Sequence, residues 1–310
     1  MLMRLTPIRL ALLLLLAAAL PLAAQPFGKS DPGSFRQEVR VSDWIFHNFN
    51  WATIESQRQN VNAIGAEYRI AWHPNGFVPE VYGHLGYLNY DQRGRKASVS
   101  ERLGIFHEGE IHEFNAYVDH ASNRASYNVG NTVGQASVTS FAGEYYYRVT
   151  PSWQVGAAAS TERQRFNFQT NLDNDYTLFS AGVRYRGFGW RIVPEVGYQK
   201  AHLSTDATDE RYHDARWYGS IAWIPQFVPQ NRLYLSARYG HGTRDYQTGL
   251  SLDSNFGRSD TRPQWSAVAV YRATDHLRGI LYYTREDVTS SLPGRNFNYD
   301  VAIATVAYGF

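Results

Sequence analysis

The feature that most constrains the fold is a regular succession of segments in which apolar and polar side chains alternate. From Phe35 to Phe310 the chain divides into about fourteen such segments, and a period of two is that of a β-strand with two different faces. The predicted strands are 35–46, 62–73, 77–90, 97–107, 111–122, 138–150, 152–165, 175–186, 189–203, 212–224, 231–246, 263–273, 276–287 and 297–310.

The connections between these strands alternate strictly between short and long. The short ones carry the proline, glycine and polar residues of tight turns, and they are 73–76, 107–110, 150–152, 186–189, 225–230 and 273–275. The long ones are polar, and they are 48–60, 91–96, 123–135, 167–174, 204–211, 247–262 and 287–296. Tight turns at one end and long loops at the other are typical of an up-and-down antiparallel barrel with an even number of strands.

The last strand carries a second signature. Tyr308 and Phe310 share one face of it, and Phe310 is the final residue. This ending resembles that of bacterial outer-membrane β-barrels, in which the last strand closes the barrel and is read by the assembly machinery. The resemblance implies that Tyr308 and Phe310 form an assembly signal. It implies outer-membrane lipid and the barrel assembly machinery as partners. Val301 and Ile303 fall on the opposite, inner face and predict an apolar patch inside.

The N-terminus predicts export. Arg4 and Arg9 precede an apolar core from Leu10 to Leu20, so we expect residues 1–24 to be a cleaved signal peptide. The Gly/Pro/Ser-rich residues 25–34 are expected to be a disordered periplasmic leader. Residues 35–310 form the predicted all-β domain, a transmembrane antiparallel barrel in the outer membrane of a Gram-negative cell with both termini in the periplasm.

Composition excludes several classes of function. Without Arg4 and Arg9 the mature chain has 28 basic and 28 acidic residues, which argues against a nucleic-acid partner. The absence of cysteine excludes disulfides and thiolate metal sites. Aromatic residues make up 15% of the chain, as expected where girdles of aromatic side chains lie at both membrane interfaces. A soluble all-β sandwich or propeller is the alternative fold, but the loop alternation and the strand length argue against it.

The alternation assigns the two faces of each strand. In the second strand, Ile64, Tyr68 and Trp72 are predicted to face lipid, whereas Glu67 and Arg69 face the lumen. The inner face of the earlier strands is predicted to be mixed to acidic, and that of the later strands to be rich in arginine. The predicted pore-lining residues are Arg184, Arg191, Arg216, Arg232, Arg238, Arg278, Glu67, Glu80, Glu113 and Glu144.

Two interpretations of these charges remain open. Opposed charged walls would create a transverse field in a water-filled pore. Alternatively, neighbouring arginine and glutamate residues pair and brace the barrel. About fourteen strands should leave a modest lumen, since sixteen to eighteen strands leave an aqueous channel. The longest loop, 247–262, is the candidate for a constriction.

A search for catalytic and cofactor sites predicts none. Asp119, His120 and Ser122 are close in sequence, but residues 119 and 120 face opposite sides of a strand. The pairs His202 with Asp206 and His213 with Asp214 are predicted to be solvated loop residues. No metal-ligand spacing or phosphate-binding motif is present, so neither a metal nor a cofactor is expected.

The sequence therefore predicts a non-enzymatic, porin-like passive channel for small hydrophilic or anionic solutes. Lumen tyrosines such as Tyr146 and Tyr218 leave a saccharide as an alternative solute. A second alternative is an export or assembly barrel for polysaccharide or surface lipoprotein, working with a periplasmic partner protein. Tyr185-Arg186 and Arg238-Tyr239 are loosely similar to strand endings of such barrels. A third alternative is a non-conducting scaffold or adhesin that acts through its extracellular loops.

Overall fold

The computed structural model describes residues 33–47, 61–74, 79–91, 96–129, 132–166, 173–188, 191–205, 211–228 and 232–310. The expected signal peptide at 1–24, nearly all of the leader at 25–34 and the loop at 48–60 lie outside these residues. None of the described residues belongs to a helix long and apolar enough to cross a membrane.

The described residues are mostly β-strand. The strands are β1 (Phe35–His47), β2 (Val61–Trp72), β3 (Glu80–Tyr90), β4 (Ser98–Glu108), β5 (His112–Val129), β6 (Thr132–Arg148), β7 (Trp153–Phe166), β8 (Asn174–Tyr185), β9 (Ile192–Thr205), β10 (Tyr212–Trp223), β11 (Leu233–Tyr246), β12 (Ser259–Thr261), β13 (Gln264–Arg272), β14 (Leu277–Ser290) and β15 (Phe297–Gly309).

These strands form one closed antiparallel sheet. Each strand from β1 to β10 pairs with its sequence neighbours, β10 pairs with β11, and β15 returns to β1. β12 and β13 both pair with β11 and β14, so together they form one strand of the barrel, interrupted at Pro263, which has no amide hydrogen to donate. The barrel therefore has fourteen strands, as the sequence predicted.

The closing seam lies where the terminal strand was expected. β15 pairs with β14 on one side and with β1 on the other, where Ser42 lies opposite Thr305. The pairing continues past the strand end, because the Phe310 amide donates to the Gln37 carbonyl at 3.0 Å and the Gln37 amide donates to the Phe310 carbonyl at 3.2 Å. The predicted role of Phe297–Phe310 in closing the barrel is confirmed.

Among the described residues, three predicted loops contain three or more β-strand residues, and in one of them, 287–296, β14 continues to Ser290. The region 123–135 was predicted to be a loop, but β5 and β6 continue to Val129 and from Thr132, with register shifts between Ala121 and Arg124 and between Ala125 and Asn128. β12 falls within the predicted loop 247–262. Residues 123–135 and 259–261 are mostly polar or glycine in the sequence, so their composition resembles that of loops.

The outer surface between the strand ends is apolar. In β2, Ile64, Tyr68 and Trp72 are exposed, whereas the alternate residues Gly65 and Glu67 are more buried, as the alternation predicted. Aromatic side chains form two girdles on this face. Members near the turn end are Trp72, Tyr147, Trp153, Tyr185, Trp223 and Tyr308, and members nearer the loop end are Tyr87, Tyr198, Trp217, Tyr239, Trp265 and Tyr283.

The girdles are packed structures. Ring centroids lie 4.8 Å apart for Trp153 and Tyr185, 4.8 Å apart for Tyr198 and Trp217, and 4.6 Å apart for Tyr239 and Trp265. Such girdles lie at the interfaces of a transmembrane barrel, where an aromatic ring meets lipid on one side and water on the other. The apolar band between them is the membrane-facing part of the barrel.

Beyond the loop-end girdle the outer face becomes charged. Arg163 pairs with Asp175 at 3.1 Å, and Arg285 pairs with Asp287 at 2.7 Å. We call this the outer polar belt, with members Arg163, Asp175, Lys200, His213, Asp245, Arg285 and Asp287. The strands therefore extend past the membrane on the loop side.

An apolar cluster lies inside the barrel near the loop end. It contains Phe46, Val61, Ala63, Tyr90 and Val301, all at most 9% exposed, and Ile303 packs against it. These residues occupy the inner faces of β15 and β1–β3. The predicted apolar patch beside Val301 and Ile303 is therefore present.

Candidate functional site

Side chains from strands that are not neighbours meet inside the barrel, and these contacts define the lumen. Glu113 on β5 accepts hydrogen bonds from Arg184 at 3.5 Å and from Arg186 at 2.7 Å, across the intervening β6 and β7. Arg216 on β10 donates to Glu286 on β14 at 2.6 Å. Such pairs can meet only through the interior.

On the turn side, a row of charged residues crosses five adjacent strands. Glu38, Arg69, His84, Arg102 and Asp119 lie directly opposite one another from β1 to β5. Arg102 donates to Asp119 at 3.1 Å, and the His84 ring lies 3.2 Å from Glu67 and 3.8 Å from Asp119. The row follows from the period of two together with the strand register.

The carboxylates of this wall are held tightly. Glu38, only 3% exposed, accepts hydrogen bonds from both Arg40 and Arg278. Glu80 accepts one from Arg36. Removal of any of these three arginines would take an ion-pair partner from a largely buried carboxylate, which would lower the stability of the fold.

These groups line a cavity at the turn end. Its volume is about 380 Å³, and its charged lining is Arg36, Arg40, Arg69, Arg102, Arg278, Glu38 and Glu80. Tyr82 and Phe106 contribute an apolar surface. We call this the turn-side arginine cavity. It holds five guanidinium groups and two carboxylates on the wall that the sequence predicted to be mixed to acidic.

Close pairing neutralises part of the opposite wall. Arg184 donates to Glu195 at 3.0 Å in addition to Glu113. Burial lowers the pKa of the Arg186 guanidinium, while the neighbouring Glu113 carboxylate opposes that shift. The arginine excess predicted for the later strands is therefore smaller than the residue tally implied, because Glu113 reaches across from the earlier strands.

A second group of ion pairs, the loop-side ionic cluster, lies near the other end of the lumen. Glu286 accepts from Arg216 and Arg262, both at 2.6 Å. Asp214 accepts two hydrogen bonds from Arg244, both at 2.8 Å. Asp214 was predicted to be a solvated loop residue. It lies within β10, where it faces the lumen and pairs with a buried arginine.

Three lumen tyrosines lie flat over glycines of the neighbouring strand. The cross-strand pairs are Tyr82 with Gly104, Tyr146 with Gly156 and Tyr218 with Gly197. An added Cβ at Gly197 would lie 2.5 Å from Tyr218 Cζ and 2.6 Å from the Ala181 carbonyl oxygen. The sequence contained this signal as glycines and tyrosines on the inner face, but the pairing needed the register.

Arginines cover two of these rings on the lumen side. The Arg184 guanidinium lies 3.8 Å from the Tyr146 ring centre, and that of Arg238 lies 3.7 Å from the Tyr218 ring centre. Each ring is thus held between the wall and a cation. In this arrangement Arg184 and Arg238 occupy the lumen-side faces of Tyr146 and Tyr218, on which a sugar would otherwise stack.

The remaining predicted pore-lining residues are more accessible. Glu144 and Arg238 are exposed on the inner faces of β6 and β11, and Asn115 donates to Glu144 at 3.4 Å. Arg191 precedes β9 in an exposed turn. Arg232 precedes β11 and donates to the Ala273 carbonyl at 3.2 Å.

The candidate catalytic groups are dispersed. Asp119 binds Arg102 in the lumen, whereas His120 lies 2.9 Å from the Thr139 hydroxyl on the outer face. The His202 and His213 rings stack at 4.4 Å within strands rather than loops, and Asp206 lies outside the described residues.

The loop at 247–258 packs on its own hairpin. The Arg258 carbonyl accepts from the Tyr246 amide at 3.1 Å, and the Arg258 side chain donates to Asp260 at 2.8 and 2.7 Å. Leu250 and Leu252 are 59% and 98% exposed. From this region it is Arg262 that reaches the loop-side ionic cluster.

Comparison with known proteins yields structural similarity without sequence similarity. No protein-family model matches the chain, and no curated protein sequence matches it. The structure is similar to OmpT of Vibrio cholerae (11% identity, TM-score 0.45, covering 91% of this chain and 99% of that one). It is also similar to the outer membrane channel DcaP of Acinetobacter baumannii (10% identity, TM-score 0.44, covering 92% of this chain and 100% of that one). A third similar structure is that of an anion-selective porin from Comamonas acidovorans (10% identity, TM-score 0.43, covering 90% of this chain and 100% of that one). At these identities and TM-scores the similarities carry no argument about function.

Proposed function

We propose that this protein is a passive outer-membrane channel for small hydrophilic solutes, with a preference for anions. The observation that carries the proposal is the polar interior of the membrane-facing part of the barrel. Its inner faces present charged side chains that remain accessible, among them Glu144, Arg238 and Arg69. A closed core would bury apolar groups at this level instead.

The preference for anions follows from the balance of charge in the same region. The turn-side arginine cavity contains more guanidinium than carboxylate groups, and Arg238 adds a further accessible cation on the opposite wall. A low-dielectric wall focuses the field of such groups into the pore, which concentrates anions there. Pairing of Arg184, Arg216 and Arg278 with glutamates braces the barrel at the same time, so both interpretations of the charges apply to different residues.

Planar-bilayer recording on the purified barrel tests the proposal. We expect steady conductance and, under a potassium chloride gradient, a reversal potential that shows anion preference. Arg238→Gln is the informative variant because Arg238 bonds Gln199 at 2.8 Å and its loss strands no carboxylate in that contact. The chloride-to-potassium permeability ratio should fall, because one accessible cation is removed from the pore wall.

Arg163→Gln is the matched control, since Arg163 lies on the outer polar belt with Asp175. It removes the same charge outside the lumen and should leave selectivity unchanged. Cation selectivity in the unaltered barrel would contradict the anion preference, and absence of conductance would contradict a channel.

One observation favours the scaffold or adhesin alternative. The tip of the loop at 247–258 presents Leu250, Leu252 and Phe256, which are 59%, 98% and 47% exposed. Exposed apolar residues on an otherwise polar loop are typical of a contact surface. A non-conducting barrel whose target binding is lost on Leu252→Ser would support this alternative.

A further inference from the structure

We propose that the turn-side arginine cavity is a binding site for a small organic anion with two acidic groups. This inference rests on the proposed channel function for its access route and extends it by naming a solute class and a site. The cavity, of about 380 Å³, has room for such a molecule with part of its hydration shell.

Two of the five arginines are suited to bind a solute. Arg40 and Arg278 hold the buried Glu38, and Arg36 holds Glu80. Arg69 and Arg102 have partners that also contact His84, namely Glu67 and Asp119. When Arg69 turns toward a ligand, Glu67 keeps contacts with His84 at 3.2 Å and with Arg40 at 3.9 Å. When Arg102 does so, Asp119 keeps, among the described residues, only the 3.8 Å contact with His84.

The spacing of Arg69 and Arg102 indicates two acidic groups. They lie on β2 and β4, with His84 of β3 directly between them. Neighbouring strands are about 4.8 Å apart, so the backbone positions of Arg69 and Arg102 are separated by about 10 Å. Both side chains extend from the same concave wall into the cavity. Each planar fork can bind a carboxylate or phosphate through two parallel hydrogen bonds.

The remaining lining suits an organic body between the acidic groups. Tyr82 and Phe106 line the cavity, and the Tyr82 hydroxyl donates to Asn115 at 2.8 Å, which fixes the ring over Gly104. An inorganic ion would leave the apolar surface of Tyr82 and Phe106 exposed to water. A dicarboxylate or a phosphorylated carboxylate satisfies both parts of the lining.

Calorimetry on the purified barrel, folded in detergent, tests the site directly. The probes are succinate, phosphoglycolate and acetate. We expect saturable binding of the two dianionic probes and binding of acetate at least about tenfold weaker, the difference expected for one charge-assisted hydrogen bond. The stronger of the two dianions distinguishes a carboxylate from a phosphate preference.

Arg69→Gln/Arg102→Gln should weaken binding of the dianionic probes by at least about tenfold, whereas Arg163→Gln should leave it unchanged. If the double variant does not fold, Arg69→Lys replaces it as the test. This variant keeps the charge and loses the planar fork, so it should reduce the preference for dianions. Equal affinity for acetate and succinate, absence of binding, or full affinity in a folded double variant would overturn the site.

Bilayer recording separates this inference from the channel proposal. In a conducting barrel, succinate should reduce the chloride current saturably, and Arg69→Gln/Arg102→Gln should abolish that saturation. A barrel that binds succinate without conducting would contradict the channel and retain the site. A barrel that conducts chloride without any response to succinate would contradict the binding site and retain the channel.

Discussion

At the scale of single residues, the lumen is built from layered contacts between strand, ring and cation. Glycine on one strand leaves space for a tyrosine of the next, and an arginine then covers the ring, as in Gly197, Tyr218 and Arg238. A larger residue at the glycine would push the ring into the lumen. The glycines are therefore structural parts of the wall, and they fix where the arginines lie.

Substitution of Gly197 by alanine should destabilise the barrel by about 1–3 kcal/mol, the usual cost of overpacking. The added Cβ would lie 2.5 Å from Tyr218 and 2.6 Å from the Ala181 carbonyl, and a backbone oxygen cannot rotate away. Urea titration of the barrel in lipid vesicles measures the change. Gly279→Ala is the control, because nothing lies within 4 Å of its Cβ position. Identical unfolding midpoints for the two variants would contradict the layered packing.

Residue-level prediction from the sequence succeeds for orientation and is incomplete for partners. The period of two places Glu113 and Arg184 on the inner face, but it does not predict that they meet across two intervening strands. That contact depends on the curvature of the closed barrel. Asp214 was missed for another reason. It lies within the predicted strand 212–224 but was interpreted as a solvated residue, and its pairing with Arg244 of β11 needed the strand register.

At the scale of elements, the seam between β1 and β15 is the joint on which closure depends. Ser42 and Thr305 lie opposite each other there, and their hydroxyls are 3.0 Å apart. Because the chain has no cysteine, a pair introduced at these positions can form only one disulfide. Directly opposite residues have Cβ atoms about 4.5–5.5 Å apart, and a disulfide needs about 3.5–4.5 Å, so the strands need to approach by about 1 Å at most.

Ser42→Cys/Thr305→Cys should therefore form an intramolecular disulfide in the folded barrel. Oxidation should block unfolding of the seam in detergent, seen as a shift in non-reducing electrophoresis that a reductant reverses. Ser42→Cys/Ser236→Cys, with the second residue on β11, is the control and should not cross-link. Cross-linking in both variants, or in neither, would argue against the observed seam.

The strand elements themselves are the part of the structure that the sequence predicts best. A membrane-facing strand must carry apolar residues on one face, and this requirement makes its pattern clear. Outside the membrane the requirement is absent, so β12 and the ends of β5 and β6 were read as loops. Pro263 interrupts a strand of the barrel without ending it, because β12 and β13 keep the same neighbours.

At the scale of the whole molecule, the barrel has two levels with different roles. The level between the aromatic girdles has an apolar outer face and contains the turn-side arginine cavity within. The level beyond the loop-end girdle has the outer polar belt outside, and inside it has the apolar cluster around Val61 and the loop-side ionic cluster around Glu286. This division predicts that tolerance of a charge on the outer face depends on depth.

Leu281 and Thr289 test that division on a single face of β14. Leu281 is 60% exposed in the apolar band, whereas Thr289 lies beyond Arg285 and Asp287 in the region of the outer polar belt. Arginine at the level of lipid costs roughly 2–4 kcal/mol in a transmembrane barrel, and near the interface about 0–1 kcal/mol. We therefore expect Leu281→Arg to lower the free energy of unfolding in lipid vesicles by the larger amount and Thr289→Arg by the smaller.

Urea titration in vesicles of matched thickness measures both values. In detergent micelles, which adapt to a charge, the difference should shrink. Equal effects in vesicles would place the membrane elsewhere on the barrel, and with it the level at which the arginine cavity meets the solute.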